Sequence, residues 1–416
     1  MHLLIIPQAF AGPDDPGGTR HYEFARHMVG QGHRVTIVAA NLNYQTGAPV
    51  VPGAGLAAEQ DLGGVRVLRA YALPSLHRSF LWRVASFLSF MLSSALVALR
   101  AGPADVVMGT SPPIFQAVSA WLVATLRRRP FLLEVRDLWP EFAVAMGVLR
   151  QPALIWLARR LEAFLYARAD HLLVNSPAYR DYLLGKGVAA RRVSLIPNGV
   201  DPAMFDPAAR GEAVREQYGL GDKFVVTYAG ALGQANDLPT LLRAAALLRQ
   251  NPRVHLLIVG DGKERRALEA LARELGLASV TFAGPRPKRE MAAVLAASDA
   301  CVATLQDIPM FRTTYPNKVF DYMAAGRPTV LAIDGVIRAV IDAARGGIFA
   351  TPGSPAALAQ AIGRLADDPA AARAMGAAAR QYVTQHFSRP AHAAQFTDLV
   401  ESMARGASRP VVNSSL

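Results

Sequence analysis

Short apolar runs alternate with amphipathic stretches over nearly the whole chain. Residues 3–6, 35–39, 65–69, 106–109, 131–135, 171–174 and 193–196 have strand composition and strand length. Helical patterns separate most of them, an order that predicts a parallel sheet with helices on both faces. Residues 197–207, PNGVDPAMFDP, then place Pro, Asn-Gly and Asp-Pro breakers in quick succession. A second series of strand-like runs follows at residues 224–228, 255–259, 280–282, 300–303, 329–333 and 347–350. Each half has the size of one doubly wound domain. The expected class is α/β, with one such domain over residues 1–200 and another over 201–386. A central cleft is expected between the carboxyl ends of their sheets, where open sheets bind ligands. A helix over 387–405 is expected to pack back on the first domain, and residues 406–416 to form a disordered tail.

Composition narrows the class. At 416 residues the chain is too long for one ordinary core. It is 52% hydrophobic and 18% charged, as a globular protein is. Its one cysteine, Cys301, excludes a disulfide framework and fits a reducing compartment. The first residues, MHLLIIPQAFAG, lack the features of a secretory leader and read as a strand. No run of about 20 apolar residues is visible, so no clean membrane-spanning helix is expected. Residues 83–100, RVASFLSFMLSSALVALR, fit either a buried helix or a helix resting on a membrane. The net charge of +12, spread thinly as arginine, suits an anionic membrane surface or phosphorylated ligands. No nucleic-acid module accompanies it, and Arg127-Arg128-Arg129 is too short a tract, so nucleic acid is not an expected partner.

Candidate chemistry gathers at turns that follow strands. Gly17-Gly18-Thr19 opens a helix, where backbone N–H groups can face an anion and glycine permits close approach. The same physics recurs where Gly230 and Gly233 turn a buried strand toward the next helix. Gly284-Pro285-Arg286 closes a later strand and suits a planar base, while Asp261 reads as a helix cap. Another strand ends in Arg136 and Asp137, with Glu141 close behind. Charge there needs either a ligand or an Arg136–Asp137 pair. In TTYPNKVFDYMAAGRPTV, residues 313–330, a short helix feeds a strand, with Pro316 in its first turn. Lys318 lies in that turn too, where the helix dipole disfavours a cation by roughly a few tenths of a kcal/mol. Either Asp321, on the same face, pairs with it, or an anion from outside the chain does.

Together the 17–18 loop, PNGVD at 197–201, VGDG at 259–262 and YMAAGRP at 322–328 resemble a retaining glycosyltransferase of the GT-B fold, in the group called family four. RDLWPE and YPNKVFDYMAAGRP resemble its branch of bacterial O-antigen and capsular polysaccharide transferases, which includes the fucosamine transferases. The resemblance runs over nearly the whole chain. It implies two Rossmann-like domains, the C-terminal one for a nucleotide sugar and the N-terminal one for the acceptor. It implies a UDP-linked N-acetylated hexosamine or deoxyaminosugar as donor and a lipid-linked or glycan acceptor.

Where relatives carry Glu-x7-Glu, this chain has Thr313 and Asp321. Asp321 is then expected at the ribose hydroxyls, and Thr314 or Lys318 at the sugar or phosphates. Lys318, with Arg312 second, stands in for the cations that neutralise the leaving diphosphate. The catalytic candidates are Asp137, Glu141 and Lys318. The donor-binding candidates are Gly17, Gly18, Gly230, Gly233, Gly284, Arg286, Arg312, Thr313, Thr314, Lys318 and Asp321. No metal or cofactor is implied, and Asp14-Asp15 reads as loop capping. The implied location is cytoplasmic, peripheral at the inner face of a bacterial plasma membrane. Two other readings compete: a GT-B nucleotide-sugar 2-epimerase, and a non-catalytic nucleotide-binding partner in a polysaccharide assembly complex.

Overall fold

A computed structural model describes residues 1–12, 14–15, 18–43, 47–74, 80–206 and 208–406. Gly17 and the tail from 407 lie outside the described residues. The chain divides into two units. Unit 1 holds Met1–Gly12, Thr19–Pro197 and the described residues from Pro390 on. Unit 2 holds Asn198–Arg389 together with Asp14, Asp15 and Gly18.

The sheet of unit 1 has eight strands: β1 (His2–Ile6), β2 (Arg34–Ala40), β3 (Ala57–Leu62), β4 (Val65–Ala70), β5 (Val106–Ser111), β6 (Phe131–Val135), β7 (His171–Val174) and β8 (Val193–Leu195). Their order is β3-β4-β2-β1-β5-β6-β7-β8, parallel except for β3, which forms an antiparallel pair with β4. β1 is buried at every residue between β2 and β5, and its unbroken apolar run follows from being covered on both faces. β3 was not expected. Its sequence, AAEQDL, has no apolar alternation, as suits an edge strand protected from pairing with other chains. Phe396 and Val400, on the helix Arg389–Ala404, join the core of Leu3, Ile5 and Phe24, and Phe396 stacks on Phe24 with ring centroids 4.8 Å apart.

The helix Phe80–Arg100 contains the apolar run of residues 83–100. It is 21 residues long and apolar enough, by length and composition, to cross a membrane. Its inward side mixes apolar and small polar residues, with Phe90, Ala95, Val97 and Ala98 buried beside Ser86, Ser93 and Ser94.

Unit 2 has six parallel strands: β9 (Phe224–Ala229), β10 (Val254–Val259), β11 (Val280–Gly284), β12 (Ala300–Thr304), β13 (Thr329–Ala332) and β14 (Gly347–Phe349). The order β11-β10-β9-β12-β13-β14 reverses between β9 and β12. In an open α/β sheet that reversal opens a crevice beyond the carboxyl ends of the two strands. The helix Asn317–Ala324 sends Val319, Phe320 and Met323 into the core beneath, where Phe320 meets Phe387 at 4.8 Å. Pro316 is its N-cap rather than part of its first turn.

Candidate active site

The crevice of unit 2 is lined by glycine turns locked to one another. Gly230 N–H donates to Val259 O at 2.9 Å, Gly260 N–H to Gly284 O at 2.8 Å, and Leu232 N–H to Asp261 O at 2.9 Å. These bonds draw the ends of β9, β10 and β11 together, so a Cβ at Gly260 would lie 1.8 Å from Gly230 O. Gly230 itself has φ +152°, and a Cβ there would lie 2.9 Å from Lys318 Nζ. Two backbone segments and a lysine thus converge where no other side chain fits.

Lys318 is the centre of this cluster. Its Nζ donates to Tyr228 Oη at 2.8 Å and to Asn236 Oδ1 at 2.9 Å, and it sits 4.2 Å from the centroid of the Tyr228 ring. Tyr228 donates its own proton to Ala231 O at 2.8 Å. Burial raises the Tyr228 pKa well above the ordinary value, so the phenol stays neutral. Burial also pushes the Lys318 ammonium down to about 7. No carboxylate among the described residues pairs with it, and one of its three N–H bonds has no partner among them. Of the two alternatives the sequence left open, the pairing with Asp321 does not form. Asp321 Oδ2 accepts instead from Lys288 Nζ at 2.5 Å, with both side chains mostly buried.

Other candidates fall around this centre or away from it. Gly18, in unit 2, would bring a Cβ within 3.2 Å of Asn317 Nδ2, at the start of the Lys318 helix. Gly233 precedes the 3₁₀ turn Gln234–Asn236 that supplies Asn236, and nothing lies within 4 Å of the Cβ it lacks. Thr313 and Thr314 donate their hydroxyls to Met310 O at 2.6 Å and Phe311 O at 2.9 Å. Arg312 pairs with Asp307 at the surface, 3.2 Å away. Arg286 is bound to Tyr218 Oη and, at 3.3 Å, to Glu290. Asp261 does not cap a helix: it accepts from Gly262 N–H at 2.8 Å and faces Arg265 at 3.6 Å. Asp14 pairs with Arg289.

Unit 1 carries a separate polar group at the carboxyl end of its sheet. Asp137 accepts from Tyr179 Oη at 3.4 Å. Burial raises its pKa, only partly offset by Arg136 and the Tyr179 bond, and the carboxyl stands at about 6. Glu141 accepts twice from Arg159, at 2.9 and 3.0 Å, which lowers its pKa. Beneath them Glu134 is fully buried between Arg20 Nε at 2.9 Å and His21 Nε2 at 2.6 Å. Burial alone would raise its pKa, but His21 and Arg20 outweigh it and keep the carboxylate ionised. Arg20 also donates to Ile196 O and Pro197 O, both at 2.8 Å, fixing the chain where it leaves unit 1.

Residues 223–368 match the family described as Glycosyl transferases group 1, and residues 17–199 match the Glycosyl transferase 4-like domain. The chain is a glycosyltransferase of the GT-B fold. Among relatives it is 26% identical over 320 residues to WcaI, a glycosyl transferase assigned to colanic acid biosynthesis in Escherichia coli (strain K12), covering 75% of this chain and 78% of that one. Its structure is similar to sucrose-phosphate synthase from Thermosynechococcus elongatus, with TM-score 0.77 and 22% identity over 98% of this chain and 100% of the other. It is also similar to Anabaena HepE in complex with UDP-glucose, with TM-score 0.73 and 20% identity over 97% and 100%.

Sequence reasoning about this glycosyltransferase missed Tyr228, Asn236 and Lys288, which hold Lys318 and Asp321. Tyr228 is one residue of an apolar strand and Asn236 one of a polar loop, so neither carries a local signal. Glu134 did carry one, as the only charge within the apolar run FLLEV.

Proposed function

We propose that this glycosyltransferase moves a sugar from a UDP-sugar to a lipid-linked or glycan acceptor in the assembly of a bacterial surface polysaccharide, with retention at the anomeric carbon. The observation that carries the proposal is Lys318: a desolvated ammonium without a counter-charge, at a helix N-terminus, beside a glycine turn at the switch point of a parallel sheet. A diphosphate supplies the missing charge and meets the helix dipole as well. In the proposed step the acceptor hydroxyl oxygen bonds to the anomeric carbon on the face that UDP leaves. The bond from that carbon to the diphosphate oxygen breaks, UDP keeps its electron pair, and the hydroxyl proton passes to a diphosphate oxygen. Lys318 stabilises the charge that develops on the departing group. Asp321, held by Lys288, is assigned to the ribose hydroxyls, and Asp137 to positioning the acceptor.

The HepE complex supports UDP, and the match to WcaI supports polysaccharide synthesis. An N-acetylated hexosamine or deoxyaminosugar is the proposed sugar. No metal enters the proposal, and the proposed location is the inner face of the plasma membrane. A panel of UDP-sugars with a crude lipid extract tests it, reading UDP release and the anomeric configuration of the product by NMR. Lipid-dependent release with retention is expected. Epimerised sugar without any acceptor, or UDP binding without turnover across the panel, defeats it.

A further inference from the structure

We infer that three neighbouring helices of unit 1 form a face that docks on the surface of an anionic lipid bilayer. They are Phe80–Arg100, Phe115–Arg127 and Pro152–Arg168. The first two run side by side. Phe87 stacks on Phe115 at 6.0 Å, Ser119 Oγ donates to Met91 O at 2.7 Å, and Arg127 donates to Ala98 O and Leu99 O at 2.9 and 3.0 Å. Trp121 then meets Phe164 of the third helix edge-on at 4.8 Å.

The first helix is apolar on its outer side as well as its inner one. A surface helix of a water-soluble domain turns its apolar stripe to the core and its polar side to solvent. Here Phe90, Ala95, Val97 and Ala98 are buried along with Ser86, Ser93 and Ser94, and Leu88, Leu92, Leu96 and Leu99 recur at three- and four-residue spacing on the outer side. Leu92 is 63% exposed, Leu126 on the second helix 61%, and Trp156 and Leu157 on the third 59% and 58%. Large exposed apolar side chains gathered on three neighbouring helices mark an interaction site.

Charge selects the occupant. Arg83, Arg100, Arg128, Arg129, Arg160 and Arg168 are exposed on or directly after these helices, and Arg160 lies over the Trp156 ring at 5.4 Å. The only carboxylate within the three helices, Glu162, is buried and bound by Lys186. A second copy of the chain fits badly, because a two-fold contact sets the same patch against itself and arginine would face arginine. An anionic bilayer meets both features at once: leucines enter between the headgroups while arginines bind their phosphates. The helix Phe80–Arg100 rests on the bilayer rather than crossing it, since Phe90, Val97 and Ala98 are built into the core of unit 1.

This face deepens the membrane location proposed above and is independent of the donor site, so one test separates them. Full-length protein is sedimented with phosphatidylcholine vesicles with and without phosphatidylglycerol, while UDP binding is followed by calorimetry and mass by light scattering. Binding only to vesicles containing phosphatidylglycerol is expected. Leu92→Glu with Leu96→Glu, and separately Arg128→Glu with Arg129→Glu, are each expected to weaken it about tenfold or more, with UDP affinity unchanged. Absence of vesicle binding, variants that bind like the wild type, or a dimer that the leucine changes render monomeric would each overturn the face. Vesicle binding retained while UDP binding fails overturns the donor site alone and leaves the face standing.

Discussion

Lys318 is charged or neutral depending on a narrow range of pH. Its folded pKa of about 7 lies far below that of a free lysine, so the folded chain binds fewer protons than the unfolded one between the two values. Its contribution to stability is therefore full above the ordinary lysine pKa and lost as pH falls through about 7. Donor binding has the opposite sign, because a diphosphate requires the ammonium form. UDP affinity should fall roughly tenfold per pH unit above 7, with proton uptake on binding. Lys318→Ala should abolish that slope; calorimetry in buffers of different ionisation enthalpy measures both. Asp137 has the reverse displacement. A carboxyl raised to about 6 favours folding below its ordinary pKa and loses that contribution as pH rises through 6. Asp137→Asn should accordingly raise stability at pH 7.5 by about 1–3 kcal/mol while transfer falls. A thermal melt that drops, or transfer at the wild-type rate, contradicts the assigned role.

At the scale of elements, the proposed donor site rests on the glycine turns of unit 2. Gly230 and Gly233 look alike in sequence but differ in what surrounds them. Gly230 has left-handed backbone pressed against Lys318 Nζ, whereas Gly233 has φ −117° and open space around it. Gly230→Ala should cost about 1–3 kcal/mol in strain and weaken UDP binding by displacing the lysine. Gly233→Ala should leave the melting temperature unchanged yet weaken UDP if the diphosphate passes close to that backbone. Unchanged affinity in both variants would remove the turn from the donor site. The helix Phe80–Arg100, apolar on both its buried and its exposed side, illustrates the same scale. Its composition is that of a membrane segment, and its packing decides which side of it is available.

For the whole molecule, the two units have separate sheets and separate cores, and only unit 2 is assigned to the donor. UDP at about a hundred times its dissociation constant should stabilise the part that binds it by roughly 2.7 kcal/mol. Hydrogen exchange should show this as protection at the ends of β9 and β12 and in the helix Asn317–Ala324. Protection confined to unit 1 would reverse the assignment.

The alternation of apolar runs and helical patterns was sufficient for the α/β class and nearly every strand, because a parallel strand buried on both faces must be apolar throughout. β3 escaped because an edge strand is stabilised by pairing and gains from polar residues. Lys318 and Asp321 could be singled out from spacing alone, since helix periodicity places them on one face. Spacing along one helix says nothing of what other strands and loops bring to that face. Tyr228 and Asn236 reach Lys318 across more than eighty residues of chain, and Lys288 takes Asp321 from a different turn. Sequence by itself thus singled out Lys318 and Asp321 as candidates; only tertiary structure decided their partners, because charge and burial depend on neighbours in space.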